Sequence, residues 1–494
     1  MLLAGLDIGT TGCKITIYEN TGVYLGRVYR AYPALRTKTA HEIDAGVIWL
    51  SVQDALREAC AAYPGIIAIG ITSFGETFVL LDEHNVPLCP AMLYTDPRGE
   101  TQCARLIEAL GEKYITSITG VKPCAMYSLP KLMWVKENRP KVYANTKHVL
   151  LMEDYIVYLL TGKAQIDYSL AARTMGFDIR MLTWSKDIFS AAEIDQTLFS
   201  MPVAIGTSAG SIKPEVAKKL GLSAGTLIVS ISHDQVAAAI GSGVFDESCA
   251  VDGAGTVECI TPVFSSFDTQ AMAAGNYAVI PYITPGKYVC YAFTYTSGAL
   301  VQWFVDNLAG YAAQAADANK ISIYAELENC WNGMPTGLMV LPHFAGAATP
   351  YMDMGSKGAI VGLTLTNTRQ DIYIAIMEGV CYEMRLNMER LAQAHVPVHR
   401  LRTVGGGANS RVWMQMKADI INVPVTALRS GEAGAAGSAM LAGVAAGVFQ
   451  NLYQATRFMV AECESFYPRR EAYDAYSAVY ERYKKLYQAI RPLV

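Results

Sequence analysis

The sequence lacks a strong charge of either sign. Lys+Arg number 40 against 44 Asp+Glu, a formal net charge of −4. That near-balance argues against a nucleic-acid polyanion as the main partner and against a polybasic membrane anchor. A cysteine framework is also missing: the 11 cysteines are odd in number, scattered from Cys13 to Cys463 and nowhere spaced C-x-x-C. Disulfide scaffolds and zinc ribbons need regular spacing, so free thiols in a reducing cytoplasm are expected. No long polar or low-complexity tract interrupts the chain, which argues against disorder. Gly 41 and Pro 20 are ordinary totals and exclude a fibrous class. The opening MLLAGLDIGT has no basic n-region and carries Asp7 inside its apolar run, unlike a secretory signal peptide. From Ala433 to Thr456 no residue is charged, but Gly and Ala crowd the stretch and Gln450 and Asn451 interrupt it. A buried helix of close-packing small residues is expected there, rather than a membrane span.

What is present is apolar material in quantity. The 494 residues are 52% hydrophobic and 17% charged, enough for large cores. At roughly 150 residues per domain they should make two to four domains. An apolar run at 2–8 ends in Gly9, Thr10 and Thr11; 13–19 and 23–29 then flank Asn20-Thr21-Gly22, which has the form of a hairpin turn. An amphipathic helix near 46–62 precedes another apolar strand at 66–72. This rhythm predicts layered α/β domains. A second copy of the theme appears at 249–263, CAVDGAGTVECITPV, so Gly9-Thr10 and Gly255-Thr256 hold similar places in two halves. The expectation is two similar domains facing each other across a cleft, 1–242 and 243–494, with the boundary near Gly241–Phe245.

Three segments carry chemistry. Asp7-Ile8-Gly9-Thr10-Thr11-Gly12 ends a strand and turns straight back, aiming backbone N–H groups and two hydroxyls at one spot. Such a spot suits phosphate oxygens, and Asp7 could hold Mg²⁺ directly or through water. An ordinary glycine-rich hairpin with a satisfied aspartate is the alternative. Val404 to Ser410, with Gly405, Gly406 and Gly407, lies between an apolar run and an amphipathic segment at 411–422, where a flat ring or ribose could approach backbone. It does not make G-x-G-x-x-G in context, and a tight strand-to-helix turn is the alternative. Gly431 to Gly437 could form the other side of that pocket, or could simply pack a helix. Ser232-His233-Asp234-Gln235 follows a strand-like 226–231 and precedes a small-residue helix at 236–242. A carboxylate there can accept a proton from a bound hydroxyl, or merely cap the helix. His233 has no nucleophile or metal partner at useful spacing and is assigned no chemistry.

These motifs, in this order, resemble the FGGY family of carbohydrate kinases, and the resemblance runs from about residue 3 to 450. Leu341 to Gly346, Thr349-Pro350, Lys357-Gly358, Val361 to Leu363 and Met377 to Val380 look like that family's second-domain core, and Asp167 to Met175 resembles its xylulokinase branch. The resemblance implies two similar actin/hexokinase/Hsp70-like (ribonuclease H-like) α/β domains around an ATP-binding cleft. It implies Asp234 as the general base, Asp7 near Mg²⁺, and Thr10, Thr11 and Thr256, beside Gly255, at the phosphates. Gly406, Gly407 and Asn409 would lie along the adenosine. On the sugar side this chain departs from its relatives. Phe74-Gly75-Glu76-Thr77 has glutamate where xylulokinases carry a histidine, and its Glu-Thr pair resembles glycerol kinase with Gly75 in place of the adjacent arginine. Tyr94-Thr95-Asp96-Pro97-Arg98 resembles the D-x-R element of pentulose kinases. Glu76 and Asp96 are therefore the expected hydroxyl acceptors, with Gly75, Arg98 and Tyr127 beside them. The implied reaction moves the γ-phosphate of ATP to a primary hydroxyl of a ketopentose such as xylulose. Glycerol or tetritol phosphorylation and a sugar-independent ATPase of the same architecture are the alternatives. The implied partner is a small sugar or polyol, with neither nucleic acid nor membrane involved and a homodimer as a possible assembly.

Overall fold

A computed structural model describes residues 1–429 and 432–494. The chain divides into two compact units. The first comprises Met1–Phe245, Ala278–Val289 and Glu432–Val460; the second comprises Asp246–Tyr277, Cys290–Gly431 and Ala461–Val494. A single cut at 242/243 therefore misses two later segments that return to the first unit.

The sheet of the first unit has strand order Thr207–Ser211, Leu227–His233, Ile66–Ser73, Leu2–Ile8, Gly12–Glu19, Tyr24–Ala31. Leu2–Ile8, Ile66–Ser73 and Leu227–His233 are parallel, and the flanking strands are antiparallel. Parallel strands covered on both faces read as continuous apolar runs, which is why 2–8 and 66–72 show no alternation. Alternate residues do point to opposite faces. Ala4, Leu6 and Ile8 join the core with Ile48, Val52 and Leu56 of the helix Ala45–Ala62. Gly5, on the other face, meets the helix Ala433–Ala445.

That helix explains its own composition. A Cβ on Gly5 would lie 1.9 Å from the Ala435 carbonyl oxygen, and one on Gly70 2.2 Å from that of Ser438. Gly437 approaches Ala237 of the helix Asp234–Gly241 equally closely. Small residues let helix and sheet backbones touch, so the packing reading of 432–437 is the one observed; Gly431 lies outside the described residues. Gly5→Ala should destabilise the protein by about 2–3 kcal/mol, because backbone rather than a flexible side chain must yield. A urea midpoint within error of wild type would contradict this. No described helix is long and apolar enough to cross a membrane.

The second unit repeats the plan. Glu258–Phe264 pairs antiparallel with Ala250–Ala254, which runs parallel to Leu401–Val404 and then Val425–Leu428, with Glu462–Phe466 antiparallel at the far side. Ala292–Thr294 flanks Glu258–Phe264 antiparallel. Both units thus share one sequence of strand directions, the ribonuclease H-like arrangement of a mixed α/β protein.

Candidate active site

In open α/β sheets ligands gather at the carboxyl ends of parallel strands. In the first unit three such ends lie side by side. Asp7 is the penultimate residue of Leu2–Ile8 and pairs with Thr72, while Ser73 pairs with His233. The middle strand runs out into Phe74-Gly75-Glu76, and Asp234 opens the helix Asp234–Gly241. Asp234 is the first helical residue and His233 occupies the cap position, so the capping reading of this aspartate does not hold.

The electrostatics of this edge are those of under-compensated carboxylates. Burial pushes Asp234 up to about 6, with the Gln235 hydrogen bonds and the Arg173 charge opposing. Its side chain keeps about one-third exposure, at 34%. His233 Nδ1 lies 3.3 Å from Asp234 Oδ1. Burial, with help from Arg173, pushes that ring down to about 3, so His233 is neutral. Asp7 is likewise pushed up to about 6 by burial, against Lys14 and reinforced by Asp234 and Glu432. Lys14 Nζ lies 3.9 Å from Asp7 Oδ2 and pairs with Glu432, which also holds Arg27. The turn is closed by Gly9 N–H donating to Gly12 O at 2.9 Å, leaving Thr10 half-buried and Thr11 exposed.

Glu76 is held in an unusual backbone state. Its φ is 63°, left-handed and disfavoured for a side-chain-bearing residue. Ser128 Oγ donates to the Glu76 carbonyl at 2.6 Å, and Arg173 Nε donates to Glu76 Oε1 at 2.5 Å, with Nη2 on the same oxygen. The Arg173 guanidinium lies 5.2 Å from the centre of the Tyr127 ring. A Cβ on Gly75 would sit 3.0 Å from His233 Cδ2 and 3.1 Å from Arg173 Cγ, so glycine there lets both side chains close in. Gly75, Glu76, Tyr127 and Asp234 are thus gathered around Arg173, a residue the sequence reading quoted in a motif but gave no role.

Asp96 and Arg98 differ from expectation. The Asp96 side chain has no exposure. Its oxygens accept from His41 N at 2.8 Å and from Arg98 N, Nε and Nη2 at 3.0, 2.8 and 2.6 Å. Arg98 also binds Glu42 at 2.7 Å and lies 5.0 Å from the centre of the Trp134 ring. An aspartate two residues before an arginine folds back on it, so this pair braces its own turn and has no acceptor left for a substrate hydroxyl.

The second unit holds a cavity of about 1060 Å³ lined by Gly255, Thr256, Gly406, Gly407, Asn409 and Gln302, among others. All five second-unit residues expected from the sequence therefore face one space, and Gln302 was missed because nothing flags a lone glutamine in a helix. Gly405, at φ 96°, makes the turn, and a Cβ on it would reach 2.6 Å from Ala254 O. Gly406 has open space where a side chain would be. Beneath the Gly255-Thr256 hairpin, buried Lys417 binds Asp252 at 2.5 Å and Glu258 at 2.7 Å, fixing the two strands that carry it.

Residues 2–241 match the N-terminal domain, and 254–446 the C-terminal domain, of the FGGY family of carbohydrate kinases. The chain belongs to that family. Among its relatives is a xylulose kinase of Bacillus subtilis (strain 168), 28% identical over 99% of this chain and 97% of that protein. A glycerol kinase of Halorhodospira halophila is 30% identical over 90% and 89%. A solved structure described as a xyloylose kinase from Brucella ovis superposes with a TM-score of 0.87, at 24% identity and full coverage of both chains, a likeness of fold. As a member of this carbohydrate-kinase family, the protein is a sugar phosphotransferase. For this FGGY kinase the residues to which the sequence alone assigned no role are Lys14, Arg173 and Gln302, each of which acquires meaning only from its neighbours.

Proposed function

We propose that this kinase transfers the γ-phosphate of ATP to the terminal primary hydroxyl of an open-chain ketopentose such as xylulose. The supporting observation is Asp234, a partly exposed carboxylate at a parallel strand's end, next to the buried Glu76–Arg173 pair. Asp234 accepts the proton of the attacking hydroxyl, and the Gln235 hydrogen bonds orient its carboxylate. Glu76 accepts hydroxyl hydrogen bonds from the sugar, with Tyr127 and Gly75 shaping the wall and Asp96 and Arg98 holding the adjoining turn rigid. Each unit presents a Gly-Thr turn suited to phosphate oxygens: Thr10 and Thr11 in the first, Gly255 and Thr256 in the second. Gly406, Gly407 and Asn409 line the adenosine side. Among the described residues no group of three or more His, Cys, Asp or Glu side chains could hold a metal ion. Asp7, partly exposed and short of countercharge, fits Mg²⁺, an ion that takes one or two carboxylates and otherwise phosphate and water. Bound Mg²⁺ would neutralise charge on the transferring phosphoryl group.

Sequence likeness to xylulose kinases over nearly the whole chain favours the pentulose, while Glu76-Thr77 favours glycerol as the second reading. A panel of ketopentoses, glycerol and tetritols, assayed by sugar-dependent ATP consumption, decides. The expected result is a higher kcat/KM for a ketopentose than for glycerol. A four-carbon polyol or glycerol clearly best would overturn the pentulose assignment, and turnover independent of sugar would overturn the kinase mechanism.

A further inference from the structure

Lys131 has no part in the chemistry above, yet its side chain is wholly buried in the helix Ser128–Asn138. A buried ammonium normally meets a carboxylate. Here Nζ donates instead to backbone carbonyls: Tyr94 O at 3.5 Å, Met126 O at 3.2 Å, and Ala125 O. These carbonyls belong to two separate segments. Tyr94 begins the turn that Asp96 and Arg98 brace, whereas Ala125 and Met126 lead directly into Tyr127, on which Arg173 lies. Ser128, which opens the Lys131 helix, holds the Glu76 carbonyl. One ammonium therefore joins the Tyr94 turn to the loop presenting Tyr127, and the helix that carries it reaches Glu76 through Ser128.

We propose that Lys131 is a positioning residue for the sugar side of the site: its ammonium straps the Tyr94 turn to the loop presenting Tyr127, keeping the wall beside Glu76 and Arg173 in register. The inference rests on the reading of Glu76 and Tyr127 as sugar-facing groups. Hydrogen bonds from an ammonium are about twice as strong as neutral ones, so the strap depends on its charge. Burial pulls Lys131 down to about 8, against the charges of Asp96, Cys124 and Glu76 and with that of Arg98. Those groups face it from the Tyr94 turn, the 124–127 loop and the strand end, and Cys103 faces it from the helix Glu100–Leu110. The sign follows directly. The ammonium is present below about 8 and is lost as pH rises through that value, loosening the wall but not the cavity of the second unit.

The test is steady-state kinetics of the full-length enzyme with D-xylulose and ATP from pH 6.5 to 9.5, with glycerol in parallel. In wild type the xylulose KM should rise about five- to tenfold across the alkaline range while the ATP KM stays within about twofold. Lys131→Arg, which remains charged throughout, should show a pH-independent xylulose KM. Lys131→Met should raise the xylulose KM about tenfold at every pH with kcat within about threefold. A wild-type xylulose KM that is flat with pH overturns the strap, as does a Lys131→Met enzyme whose two KM values rise together. Should Lys131→Met fail to fold, the wild-type and Lys131→Arg pH series decide alone. Absence of turnover with either sugar would overturn the reading of the site itself, an outcome distinct from turnover with an unaltered KM.

Discussion

Asp234→Asn should lower kcat by about 10²–10⁴-fold, the usual effect of removing a general base, with little change in either KM. The substitution is nearly isosteric, and the side chain keeps 34% exposure, so the helix start has room for an amide. Folding should not suffer at pH 7. An aspartate whose native value is raised to about 6 is carried ionised at neutral pH against the preference of its surroundings. Replacing it with a neutral amide removes that penalty, so the variant should match or exceed wild-type stability at pH 7. The advantage should fade as pH falls through about 6 toward 4, where the wild-type carboxyl is protonated in the native state. Wild-type kcat/KM should fall over that same interval, because only the ionised carboxylate can take the proton. An Asp234→Asn enzyme retaining more than half of wild-type kcat would refute the assignment.

Position along the chain made much of this site legible. Asp7 sits at the end of one apolar run and Asp234 just beyond another. Strand ends are where α/β sheets bind ligands, so local pattern pointed to both, whereas Glu76 was reached through the family resemblance. The repeated strand–Gly-Thr–strand theme at 2–19 and 249–263 likewise announced two units of one plan. The missing parts depend on long-range contact. Arg173 meets Glu76 across 97 positions, and no periodicity announces such a pair. Gly5 and Gly70 are set by the approach of a helix more than 360 residues downstream, which also carries that helix into the first unit. Asp96 misled for the opposite reason: a carboxylate near an arginine looks like a ligand set until the Arg98 and His41 bonds show it fully engaged.

The pair that sequence could not show should also be the most sensitive to asymmetric change. Arg173→Met leaves Glu76 a buried carboxylate deprived of its guanidinium, in a left-handed backbone state. Breaking one side of a buried ion pair costs about 3–5 kcal/mol, so the urea midpoint should fall sharply. Sugar kcat/KM should fall about 10²–10³-fold, because an unheld Glu76 both misplaces its acceptor oxygens and leaves them poorly compensated. Glu76→Gln alone should raise the sugar KM at least about tenfold with a smaller change in kcat, since the amide keeps one acceptor and loses the charge. The double variant separates stability from recognition. Joining Glu76→Gln to Arg173→Met removes the uncompensated charge, so much of the lost stability should return while sugar kcat/KM stays low. Nucleotide binding, measured as ADP affinity, should be unchanged in all three, because the Gly255-Thr256 and Gly406-Gly407 turns belong to the other unit. If Arg173→Met kept the wild-type sugar KM, or if the double variant were less stable than Arg173→Met alone, Glu76 and Arg173 would not act as one recognition unit.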